Sequence, residues 1–129
     1  MAAHHALIVW PKAVRLTREC YRLADTLPRF EEGGLKSQIR RAVVSICNNI
    51  AEGNASASRG EYRRYLGIAR ASANEARASV TLCVELGFLS DTEAATALAL
   101  ADEVSRLLWS MRKGLEKGGN REQGTGSGE

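Results

Sequence analysis

The chain has 129 residues, 44% of them apolar and 26% charged, with 18 basic against 15 acidic side chains. That size allows one domain with a real core, and that balance excludes a wholly disordered chain. A formal charge of +3 is too small for bulk charge to argue for nucleic acid, so such a case has to come from where the cations sit.

The opening MAAHHALIVWPK holds a short apolar run with no basic flank and no long apolar segment. It does not read as a secretion signal, and residues 1–9 are expected to be a flexible N-terminus. Pro11 suits the first turn of a helix running to about Leu27. Trp10, Ala13, Val14, Thr17, Cys20, Tyr21 and Ala24 recur there at steps of three and four, with Leu16 and Leu23 widening the apolar face. Pro28 ends it. After a loop containing Glu31, Glu32, Gly33 and Gly34, a second helix spans about Leu35 to Glu52. Leu35, Ile39, Ala42, Val43, Ile46 and Ile50 line its core side, and Gly53 reads as its stop. Ser58 and Glu61 form a capping box that opens a third helix, with Tyr62, Tyr65, Leu66, Ala69, Ala73, Ala76, Val80 and Val84 inward and Gly87 as its end. Ser90 and Glu93 repeat the box before a fourth helix to about Leu115, with Ala97, Ala101, Val104, Leu108, Met111 and Leu115 inward. Gly118 and Gly119 should stop it, leaving residues 118–129 as a disordered, glycine-rich tail. The fold class is all-α: residues 10–117 form an antiparallel up-down four-helix bundle.

Some apolar surface is left over. Val44, Cys47 and Ala51 project from the far side of the second helix, and Leu98 and Trp109 lie off the main stripe of the fourth. Scattered surface hydrophobes are one reading. The other is a homo-oligomer interface at these five residues, with Gly67, Ala71 and Ala78 on the third helix allowing close packing against a neighbour.

The polar residues Gln38, Ser45, Asn49 and Glu52, with Ser72, Glu75 and Ser79, border the core. Asn49, Glu52 and Glu75 should find hydrogen-bond partners and fix register. A paired-carboxylate site of Glu52 and Glu75 is the competing reading. A di-iron bundle needs Glu-x-x-His pairs, but the only histidines, His4 and His5, precede the expected helices. No HExxH, GxSxG or P-loop pattern occurs. The chain is therefore expected to be no enzyme, with no metal and no cofactor. Cys20, Cys47 and Cys83 are far apart and odd in number, as in a reduced cytoplasmic protein. No apolar run approaches the about 18 residues of a membrane span.

Arg63, Arg70 and Arg77 repeat every seven residues, forming one ridge with steps of about 10.5 Å. Arg15, Arg18 and Arg22 form another on the first helix, and Arg40, Arg41, Arg59 and Arg64 are placed around the connection between helices two and three. Arginine's planar fork suits phosphate, so Arg63, Arg70 and Arg77, then Arg40, Arg41 and Arg64, are the nucleic-acid candidates. A solvated face, or ion pairs across subunits, is the alternative. The same chain could instead hold a protein partner on its outer apolar surface.

At QIRRAVVSICNNIAEG (Gln38 to Gly53), EYRRYLGIARASANE (Glu61 to Glu75), ELGFL (Glu85 to Leu89) and GLKSQIRRA, the chain resembles the bacterial four helix bundle protein family. These are proteins encoded by intervening sequences within large-subunit ribosomal RNA genes. The likeness extends from Trp10 to Leu115, with departures at Gly33, where an aromatic is usual, and at the less charged Asn54 to Ser58. It implies an up-down bundle assembled as a homopentamer. It also implies kinship to the accessory variability determinant of diversity-generating retroelements, a basic pentameric barrel that binds nucleic acid and a reverse transcriptase. It carries over no catalytic residue.

Overall fold

The structure is a computed structural model; it describes the backbone of residues 2–126 and the side chains of residues 8–115. Four helices follow one another: α1 (Ala2–Asp25), α2 (Leu35–Asn54), α3 (Arg59–Glu85) and α4 (Asp91–Gly126), with a 3-10 turn at Arg29–Glu31. Each helix packs on its sequence neighbour, and α1 closes on α4. The connections are short and the helices alternate in direction, which is the up-down bundle expected from four amphipathic segments.

The stops and starts are local chemistry. The Ser58 hydroxyl accepts from the Glu61 amide at 3.1 Å. At Ser90 the box is reciprocal: the Glu93 amide donates to the serine hydroxyl at 3.0 Å, and the Ser90 amide donates to Glu93 Oε1 at 2.8 Å. Gly87 has φ +83°, and the Phe88 amide donates back to the Cys83 carbonyl at 2.9 Å while Gly87 donates to Val84 at 3.0 Å. That pair of bonds is a Schellman end, which requires the left-handed conformation glycine tolerates.

Three boundaries differ from the sequence reading. The helix of α1 begins at Ala2 and runs through Pro11, so His4 and His5 lie on helical backbone; burial of Val9 draws the segment before Pro11 onto the bundle. The helix of α2 passes through Gly53 to Asn54. A Cβ on Gly53 would stand 3.0 Å from Tyr62 Cδ1 and 3.1 Å from Tyr65 Cβ, so this glycine admits α3 rather than ending α2. The helix of α4 continues through Gly118 and Gly119 to Gly126, since glycine weakens a helix without forbidding it. Residues 127–129 of the expected tail lie outside the described residues.

The core also rotates α1 relative to expectation. Val9, Leu16, Leu23 and Leu27 join Ala13, Cys20 and Ala24 inside, whereas Trp10 and Tyr21 are each 41% exposed. Leucines at these positions bury more apolar surface without a polar atom to satisfy. The Tyr21 ring instead lies under the Arg40 guanidinium, 5.8 Å from centroid to Cζ. In α2, α3 and α4 most residues the periodicity marks are buried, but Leu35, Tyr65 and Val84 are only half-buried, and Cys83, Ala94 and Leu100 join the core unmarked.

Candidate nucleic-acid interface

The helix of α3 buries Tyr62, Leu66, Ala69, Ala73, Ala76 and Val80. The stripe beside it, Arg63, Gly67, Arg70, Asn74 and Arg77, runs along the edge that meets α4. Its contacts fix the register. Arg77 reaches Asp102 at 3.6 Å, and the Asn74 side-chain oxygen accepts from Ser105 at 3.0 Å. The Arg63 carbonyl accepts from Arg112 Nε at 3.1 Å. The Arg112 guanidinium lies over Gly67, where a Cβ would stand only 2.9 Å from Nε. The small residue expected to admit a neighbouring subunit thus admits an arginine of the same chain.

Between these contacts sits Arg70, half-buried, with its Nε fully buried and lacking a hydrogen-bond partner. On the α4 side Trp109 is 48% exposed, and Lys113 Nζ lies 5.6 Å from its ring centroid. Asp102 is shared, since Arg106 also binds it at 2.5 Å. The heptad ridge of Arg63, Arg70 and Arg77 is therefore one wall of a cationic seam whose other wall, Arg106, Arg112 and Lys113, the sequence reading missed. Gly67, a small residue on the same stripe between Arg63 and Arg70, was the signal that something large crosses there.

The remaining candidates lie elsewhere. Arg40 binds Asp25 at 3.0 Å and Glu32 at 3.1 Å. Lys36 and Arg40 together hold the Glu32 carboxyl below its usual range. Arg40 and Arg41 sit near the start of α2, and Gly53 is the residue of that helix that meets Tyr62 and Tyr65. They are therefore about 18 Å along the axis from the connection they were expected to surround. The reason is the helical rise, which carries consecutive sequence away from the turn. Arg64 is exposed and stacks over Tyr65, with Cζ 4.5 Å from the ring centroid.

Of the surplus apolar residues, two are used within the chain. Cys47 Sγ lies 3.4 Å from Thr17 Oγ1 on α1, and Cys47 and Leu98 both pack against the core. Val44 (37%) and Ala51 remain exposed on α2, as do Ile68 (38%), Ala71, Ala78 and Leu82 (46%) on α3. An open groove of about 400 Å³ runs beside Val44, lined by Tyr21, Arg41 and Asn48 among others.

Asn49 donates to the Ser45 carbonyl at 2.8 Å, and Ser45 pairs with Ser72 at 2.8 Å, which ties α2 to α3. Glu52 and Glu75 are exposed. Among the described residues, no group of three or more His, Cys, Asp or Glu is placed to hold a metal ion, and no helix is long and apolar enough to cross a membrane.

The family model of the 23S rRNA-intervening sequence protein matches residues 5–110. A solved structure from Bacteroides thetaiotaomicron, described as a protein of unknown function from the S23 ribosomal protein family, superposes with a TM-score of 0.77 at 25% identity. That similarity covers 82% of this chain and 99% of the other. Among the curated proteins none matches the sequence.

Proposed function

Because the chain belongs to the 23S rRNA-intervening sequence protein family, we propose that it is a non-enzymatic, homo-oligomeric bundle that binds RNA or DNA through the α3–α4 seam. The observation that carries this reading is the seam itself. Arg112 crosses from α4 to the Arg63 carbonyl on α3, Arg70 lies on the same α3 stripe, and Lys113 lies over an exposed indole on α4. Among the described residues, Arg70, Arg112 and Lys113 make no ion pair. Cations kept clear of carboxylates suit phosphate. Arg77 and Arg40, each bound to carboxylates, contribute less, and Arg41 and Arg64 lie outside the seam.

Exposed apolar residues of α2 and α3, among them Val44, Ala51, Ile68 and Leu82, support the self-association part of the proposal. The resemblance gives the number of copies as five. In a closed ring the seam repeats once per subunit, so weak individual contacts combine. The context of an intervening sequence in a ribosomal RNA gene makes RNA the first ligand to try.

Binding through phosphates releases counterions. With single strands contributing about −0.7 to the log–log salt slope per contact, three cations give a slope near −2, or about a 20-fold loss between 50 and 200 mM salt for each subunit engaged. Fluorescence anisotropy of a labelled RNA across that range is the test. Flat affinity, or no binding at the low end, overturns the reading. A scaffold for a protein partner is favoured instead by the loop end of the bundle, where Phe30 is 77% exposed and lies 6.0 Å edge-on from Phe88. Under the nucleic-acid reading, Phe30→Ala leaves RNA affinity unchanged.

A further inference from the structure

The α3–α4 contacts keep strict register. Arg77 meets Asp102, Asn74 meets Ser105, and Gly67 meets Arg112, so each step back along α3 is an equal step forward along α4. By that register Arg70 and Trp109 lie level with each other along the α3–α4 contact. Both are unexplained by folding alone. An indole 48% exposed leaves a large apolar ring in water, in the middle of a charged seam. The buried Arg70 Nε has given up its hydration without gaining an acceptor.

The surroundings say what would suit them. Lys113 lies over one part of the ring. One turn further along, Arg112 is anchored by Nε to the Arg63 carbonyl, and its terminal amino groups make no hydrogen bond among the described residues. One turn back, Arg106 and Arg77 are held by Asp102. A flat ring with cations beside it offers a π-face to a nucleobase and charge to the flanking phosphates. A paired duplex cannot use the ring, because its bases are already stacked on one another and present only edges and backbone.

We propose that the α3–α4 seam takes single-stranded nucleic acid, with Trp109 stacking on an unpaired base and Arg70, Arg112 and Lys113 holding the adjacent phosphates. This rests on the nucleic-acid reading above and narrows it to unpaired strands. It also assigns Trp109 to the ligand and not to a subunit contact.

The test uses the full chain with two probes, oligouridine and an RNA hairpin stem. Loss of one base stack lowers affinity about 5- to 140-fold. Trp109→Ala should show that loss on oligouridine and little change on the stem, while Trp109→Phe retains most of the binding. In a Trp10→Phe background, oligouridine should quench the remaining indole fluorescence and the stem should not. Equal affinities of Trp109→Ala and the parent on oligouridine overturn the stacking assignment while the nucleic-acid reading stands. So does an equal loss on both probes, or an altered sedimentation coefficient in Trp109→Ala. If the parent protein binds neither probe, both readings fall together.

Discussion

Gly53 and Gly67 show how far a missing side chain decides this bundle. At Gly53 a methyl group would meet two tyrosines of α3, Tyr62 and Tyr65, at 3.0 and 3.1 Å. Neither contact is the far end of a flexible chain, so the helices must part. Gly53→Ala should therefore destabilise the fold by about 1–3 kcal/mol despite alanine's better helix propensity. A lower urea midpoint with an unchanged m-value checks it; a raised midpoint would return Gly53 to the role of a simple stop. Cys20 gives a second prediction. Its burial, then Glu19, then Cys83, push the thiol up from 9.0 to about 12. The unfolded thiol ionises first, so between those values the folded state holds the extra proton. Stability is unaffected below about pH 9 and falls as pH rises above it. Denaturation midpoints of the parent protein and Cys20→Ala across that range should converge as pH rises. In the native state thiol reagents should modify half-buried Cys47 well before Cys20.

At the scale of the element, most of the architecture was legible. Periodicity marked the core faces of α2 and α4, and Ser58, Ser90 and Gly87 mark ends whose hydrogen bonds are local. Local chemistry needs no knowledge of the partner helix. What depends on a partner was not legible. The phase of α1 hinged on whether Leu16 and Leu23 or Trp10 and Tyr21 face inward, and both sets repeat at helical spacing. The arginine heptad of α3 was visible in the sequence, yet Arg112 and Lys113 join it only through the antiparallel register with α4. Arg40 read as a candidate for phosphate, and the turn between α1 and α2 brings it Asp25 and Glu32 as partners.

At the scale of the whole molecule, the proposed function uses two sides. One is the cationic seam of α3 and α4. The other is the pair of outer faces on α2 and α3, where Val44, Ile68 and Leu82 are each more than a third exposed. Cys47 and Leu98 pack within the subunit, so the apolar surface available for association is narrower than the sequence suggested. A charge set there has to be desolvated on association, so Val44→Asp should convert the oligomer to a folded, smaller species by sedimentation velocity. A parent protein that already sediments as one folded subunit would remove the oligomer from the account.

The most direct measurement compares RNA affinity in three forms of the full chain at one low salt concentration: the parent, the double variant Arg63→Glu with Arg70→Glu, and Arg41→Glu. The last reverses an exposed arginine on α2, away from the seam. The double variant should lose binding by more than the about tenfold expected of a single lost contact, while Arg41→Glu stays close to the parent. Equal loss in both, or none in the double variant, would contradict binding through the seam.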